Sequence, residues 1–188
     1  MEHEKKVIVA LSGASGQIFG VKILEKLVKK KIKTYLIMSE NAKKILEHET
    51  GMTVNELKKM ASDFFEYDDL SAPISSGSFL HDGMVIAPCS INTASCIAYG
   101  ITNNLITRAA DVTLKEGRRL ILLVRETPLH LGHLRTLLRL AEMGAIIMPP
   151  VPAFYTKPKT INELIENLVG RVVEKLGIEA EYRRWEGF

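Results

Sequence analysis

Lys5–Gly20, KKVIVALSGASGQIFG, sets the frame for the rest of the chain. Val7 to Leu11 are apolar without alternation, which marks a strand buried on both faces. A glycine-punctuated turn, Ser12–Gly16, follows. Beyond it Ile18, Val21, Ile23, Leu24 and Leu27 repeat at helical spacing. A strand, a glycine turn and a helix in this order aim backbone N–H groups and the helix dipole at an anion, and Ser15 adds a hydroxyl. The other reading is a tight turn that needs glycine only for its conformation. A dinucleotide fingerprint is absent, because Ser15 stands at the second glycine position. A nucleophile elbow is excluded by Gln17 at its last glycine position.

Lys33–Met38 (KTYLIM) reads as a second strand ending at Ser39, where a ribose-binding acid would stand in a dinucleotide site. A mononucleotide fits better. Ala42, Ile45 and Leu46 predict a helix that breaks near Gly51, and Thr53-Val-Asn-Glu is a capping box opening another. Met84–Ala87 reads as a strand stopped by Pro88, followed by helices over Ser90–Ala98 and Leu105–Glu116. Arg119–Val124 and Ala145–Met148 complete the strands, His130–Met143 is a helix between them, and Thr160 or Asn162 caps a last helix through Leu176. Alternating strands and helices imply a parallel sheet covered on both faces. Ligands of such sheets bind beyond the carboxyl ends of the strands. Ser12–Gly16, Ser39, Pro88–Thr93, Arg125–Pro128 and Pro149–Tyr155 all fall at that edge, which points to one composite site.

The 188 residues suit one domain, 1–188, with the final helix and tail at about 160–188. A net charge of +3 and 6% aromatic residues give no basis for nucleic acid or a membrane surface. No apolar run approaches the roughly 20 residues of a membrane span, and the first six residues do not read as a signal peptide. Cys89 and Cys96 form neither a C-x-x-C motif nor a disulfide framework and read as small core residues, so the expected compartment is the cytoplasm.

Ala87–Ser95, APCSINTAS, repeats the design of the first turn, with Ser90, Ile91, Asn92 and Thr93 at a helix start. Arg108 and Lys115 lie two turns apart on one helix face. Arg125 and Glu126 end a buried strand, where a charged pair is costly without a ligand or a partner. Phosphate recognition by the guanidinium and a structural Arg–Glu pair are both open. Met148–Tyr155, MPPVPAFY, is a proline-stiffened loop that either holds its aromatics over a ligand or caps the core. Arg171 by itself is a helix-face arginine. His130 and His133 lack the further ligands a metal would need, and no metal is expected.

Together SGASG, Ser39, ETG, SSGS, APCS, NNLITRAADVTLKE, VRETP and PPVPAFY resemble, in order and over almost the whole chain, the flavin prenyltransferases of the UbiX type. The resemblance implies a Rossmann-like (flavodoxin-like) three-layer α/β sandwich. It also implies transfer of a dimethylallyl group from dimethylallyl phosphate to reduced FMN, without a metal. The product, carrying a fourth ring, would serve a UbiD-type decarboxylase, and the chain would assemble as a trimer-based dodecamer with sites at subunit boundaries. Carried over by motif, Gly13, Ala14, Ser15, Ser39, Ser90, Ile91, Asn92, Thr93 and Arg125 would contact FMN. Lys115, Tyr155 and Arg171, with Ser76 and Arg108, would hold the prenyl phosphate. Glu49 and Glu126 would be the acidic catalytic groups, Glu126 as general acid, and Ser15, Lys115 and Arg108 would share in catalysis.

Two departures from the family pattern are Phe79 after the serine-glycine-serine turn and Leu70 where an aromatic often stands near the flavin. A related branch, the flavin-dependent cysteine decarboxylases, shares P-x-S-x-N-T. Its histidine position, however, is Ile74 here, and its clamp motif is missing after Met148. A non-catalytic FMN carrier gives no reason for Lys115, Glu126, Tyr155 and Arg171 to converge.

Overall fold

The computed structural model describes residues 4–187. The reading of the first six residues therefore lies partly outside the described residues, as does the end of the 1–188 domain. In chain order the strands are β1 (Lys6–Leu11), β2 (Lys33–Met38), β3 (Asp63–Phe65), β4 (Gly83–Cys89), β5 (Arg119–Val124) and β6 (Ile146–Ile147). The helices are α1 (Gln17–Lys29), α2 (Glu40–Thr50), α3 (Val54–Met60), α4 (Ile91–Ala98), α5 (Leu105–Lys115), α6 (Leu131–Glu142) and α7 (Ile161–Lys175).

All strands pair in parallel, in the order β3-β2-β1-β4-β5-β6. This is the strand order of a doubly wound Rossmann sheet. The apolar continuity of β1 has a direct structural meaning. Val7, Val9 and Leu11 pack with α1, α2, α3 and α7, while Ile8 and Ala10 pack on the other face with α4, α5 and α6. Three layers result, as the alternating pattern predicts. The chain reverses direction across the sheet between β1 and β4, so the crevice at their carboxyl ends is the switch point where ligands bind.

Local chemistry ends most helices where the sequence places the ends. Ser39, Thr53, Ser90, Asn104 and Thr160 each accept a hydrogen bond from a backbone N–H of the helix they open. Gly51 closes α2 in the left-handed conformation, with φ 68°.

Three elements differ from expectation. β3 is too short to show a period and owes its strand form to pairing on the edge of β2, Tyr35 opposite Asp63. β4 runs through Pro88 to Cys89 instead of stopping at Ala87. The register with β5 shifts between Ile86 and Cys89, which accommodates a residue with no N–H. β6 shrinks to Ile146–Ile147, between the turn at Met143–Gly144 and the prolines Pro149 and Pro150.

Candidate active site

Two loops meet at the switch point, and Ser12 ties them together. Its backbone N–H and its hydroxyl both donate to the Pro88 carbonyl, at 3.1 and 3.0 Å, and its hydroxyl accepts from the Ser90 N–H at 2.7 Å. Gln17, fully buried, staples the turn from below by donating to the carbonyls of Ser12 and Ala14 at 2.9 and 2.7 Å. Gly20 lets α1 lie against the sheet: a Cβ there would collide with the Ala87 carbonyl and stand 2.7 Å from Leu11 Cγ. Gly16 has φ 96°, a conformation that side chains disfavour.

The start of α1 does not wait for a phosphate. The N–H groups of Gly16 and Gln17 both donate to Glu49 Oε2 at 2.9 Å. Partial burial pushes the Glu49 carboxyl up, but hydrogen bonds from Ser15, Gln17 and Gly16 and the nearby charge of Arg125 outweigh it and hold its pKa below the usual carboxylate value. This narrows the anion-binding reading of the glycine turn. The positive end of α1 is filled by a carboxylate from α2, so the turn offers an incoming ligand the Ser15 side and its own edge.

A cavity of about 450 Å³ opens above these loops. All of the residues that the resemblance assigns to FMN line it: Gly13, Ala14, Ser15, Ser39, Ser90, Ile91, Asn92, Thr93 and Arg125. Glu126 lines it too. Arg125 is exposed and Glu126 half-buried just beyond β5, and among the described residues no ion pair joins them. The structural-pair reading is thus set aside, and the expected cost of burying both charges does not arise.

Sequence reasoning missed Asn41, Ile45 and Tyr67 in the lining. The first two were within reach, because stepping back from Glu49 by one helical turn gives Ile45 and by two gives Asn41 on the same face of α2. Tyr67 sits in an aperiodic loop that carries no such signal. Ser39 and Ser90 face the cavity while also capping their helices, so their hydroxyls are already held in place.

The remaining expected residues lie elsewhere. Arg108 donates from Nε to the Ser75 carbonyl at 3.1 Å and pairs with Asp111 at 3.1 Å. Lys115, at the end of α5, pairs with Glu116 beside Gly77, and the Ser76 hydroxyl lies 2.9 Å from that of Ser78. Tyr155 packs against Trp185, ring centroids 5.6 Å apart, and its hydroxyl donates to the Arg183 carbonyl at 3.5 Å. Arg171 is exposed on α7. The convergence of Lys115, Glu126, Tyr155 and Arg171 does not occur within one chain. The physical reason is topological: α5 and α7 pack on opposite faces of the sheet, so Lys115 and Arg171 are separated by its thickness.

Cys89 is buried, and burial pushes its thiol far up, as befits a core residue; Cys96 is half-buried on α4. His130 serves α6 as a cap, its Nδ1 accepting from the N–H groups of Gly132 and His133. Ile74 is fully buried, and His81 is buried at the amino end of β4, far along the strand from the cavity. Neither position supplies a histidine to the site. Among the described residues no helix is long and apolar enough to cross a membrane.

A doubly wound sheet whose switch-point cavity carries short polar loops and no ribose-binding acid defines a mononucleotide-binding α/β protein. Comparison with known proteins refines this: a family model described as Flavoprotein matches residues 1–175. Flavin prenyltransferase UbiX of Archaeoglobus fulgidus is 55% identical over 180 residues, spanning 96% of this chain and 99% of that protein. The chain belongs to the flavoprotein family, in its UbiX flavin prenyltransferase branch. Among solved structures, a UbiX protein in complex with FMN and dimethylallyl pyrophosphate superposes with a TM-score of 0.97 at 41% identity, covering 99% of this chain and all of that one. A dodecameric FMN-dependent UbiX-like decarboxylase from Escherichia coli O157:H7 gives a TM-score of 0.94 at 42% identity, covering 97% of this chain and all of that one.

Proposed function

We infer that this chain is a flavin prenyltransferase that moves a dimethylallyl group from dimethylallyl phosphate to reduced FMN. The single observation that carries the reading is the 450 Å³ cavity shared by the two switch-point loops. Its lining suits FMN chemically. Ser15, Ser39, Asn41, Asn92 and Thr93 offer short polar groups for a phosphate and a ribityl chain. Ile45, Tyr67 and Ile91 offer apolar walls for a flat ring, and Arg125 supplies a cation. Reduced FMN, when bound, supplies the nucleophile, so no side chain of the cavity needs to act as one.

In this reading Glu126 gives a proton to the leaving phosphate as the allylic C–O bond breaks. Lys115, Tyr155 and Arg171, with Ser76 and Arg108, hold the phosphate and stabilise the charge that develops on it. Glu49 orients the Ser15 hydroxyl, which donates to it. Because Lys115 and Arg171 lie on opposite faces of one chain, the site is completed between copies in a trimer-based dodecamer. The dodecameric relative supports this assembly. The product passes to a UbiD-type decarboxylase. The 188 residues act as one domain, since α7 and the tail pack back onto α1. The free thiols of Cys89 and Cys96 suit a reducing cytoplasm.

The test is anaerobic incubation with reduced FMN and dimethylallyl phosphate, followed by mass measurement of the flavin. A gain of one dimethylallyl group is expected; an unchanged flavin overturns the reading. Decarboxylation of a cysteine substrate would support the related branch, and flavin retention without turnover a carrier. Replacing Glu126 with glutamine is expected to slow transfer by about 10²-fold or more while FMN still binds. Equal rates would remove Glu126 from the acid role.

A further inference from the structure

The turn Ser76–Phe79 and the lysine it faces come from distant parts of the chain, yet they are held in one register. A Cβ on Gly77 would stand 2.8 Å from Lys115 Nζ and collide with Glu116, so the turn passes directly over the ammonium group. The grip comes from Arg118. Its Nη1 donates to the Phe79 carbonyl at 2.8 Å and its Nη2 to the Gly77 carbonyl at 2.9 Å, so one planar guanidinium brackets Ser78. Its own backbone is pinned to the last turn of α5: the Gly117 N–H donates to Leu114 O and the Arg118 N–H to Thr113 O, both at 2.9 Å, with Gly117 at φ 65°. This is a Schellman closure, and it fixes Arg118 relative to Lys115 three residues earlier. The Ser76 and Ser78 hydroxyls lie 2.9 Å apart on the same turn, and Phe79 anchors its far end edge-on against Tyr35 at 5.0 Å.

We propose that Arg118 is a positioning residue for the phosphate half-site, setting the place of the Ser76 and Ser78 hydroxyls relative to the Lys115 ammonium through its two bonds to the Gly77 and Phe79 carbonyls. The ligand class is a phosphate monoester or inorganic phosphate, and the link to prenyl transfer rests on the function proposed above. Lysine cannot replace Arg118, because an ammonium is a single point donor while a guanidinium spans two carbonyls in a fixed plane. In the sequence Arg118 belongs to GRR, which reads as a solvated helix end; only the fold shows what its fork holds.

The experiment uses the full-length FMN-loaded protein and the variants R118K, R118A and G77A. Two quantities are measured: calorimetric affinity for inorganic phosphate, and KM and kcat for dimethylallyl phosphate. Each variant is expected to weaken phosphate binding, to raise the donor KM by about tenfold and to lower kcat, since Lys115 also stabilises the charge on the leaving phosphate, with FMN affinity changed much less. Millimolar guanidinium is expected to restore R118A in part and G77A not at all. Phosphate affinity and donor KM equal to wild type in R118K and R118A overturn the proposal. So does a parallel loss of FMN affinity, which would mark general damage. If the wild type makes no prenylated flavin but its phosphate affinity still depends on Arg118, the half-site stands and the prenyl-transfer reading falls. If phosphate affinity ignores Arg118, the positioning role falls whatever the flavin does.

Discussion

Glu49 shows how one side chain changes the meaning of a motif. Two N–H groups that a glycine turn leaves unpaired receive a carboxylate from another helix. Removing that carboxylate in Glu49→Ala is expected to cost about 1 kcal/mol at neutral pH, since the pair is solvent-exposed. That is a fall in Tm of about 2–4 °C for a chain of this size. The pH dependence follows from the lowered pKa. The unfolded carboxyl titrates near 4.5 and the folded one below it, so the contribution is complete above that pH and is lost as pH falls through the folded value. Thermal melts of both proteins from pH 7 to pH 3 should show the gap closing only below about pH 4.5. A gap that does not change with pH would mean that the charge contributes nothing there.

At the scale of elements, α1 carries the tightest geometric demand. It must approach the sheet closely enough for its start to overlie the crevice, and Gly20 permits this by leaving the Ala87 carbonyl room. Gly20→Ala is expected to destabilise the fold by about 2–3 kcal/mol, because the obstacle is backbone and cannot rotate away. Chemical denaturation would measure this, and a loss under about 0.5 kcal/mol would contradict the packing account. Elements with an internal period were legible: the continuous apolar run of β1, the helical repeat of α1, the capping box at Thr53. β3 was not, because its three residues acquire strand form only by pairing with β2. The strand past Pro88 was also hidden, since the register shift that admits it belongs to two strands at once.

At the scale of the whole molecule, α6 turns an apolar stripe to the outside. Leu131, Leu134 and Leu138 are 60%, 50% and 60% exposed at helical spacing, and Tyr99 and Ile101 at the end of α4 extend the patch. Such a stripe is expected to be covered by further copies of the chain, as in the assembly proposed above. Leu134→Asp should lower the mass measured by light scattering and reduce prenyl transfer together. An unchanged mass would assign the stripe another purpose.

Local sequence patterns alone dictate the alternation of strands and helices, the parallel sheet, and the loops gathered at one edge of it, but not Asn41, Ile45 and Tyr67 in the cavity wall. These follow from local periods and from loops that a parallel sheet always delivers to one edge. The tertiary structure alone decided that Glu49 fills the start of α1 and that Arg118 grips the serine turn. It also decided that Lys115 and Arg171 stand on opposite faces. Each of these joins residues far apart in the chain, and such distances are set by how helices pack on a sheet, a property that no local pattern carries.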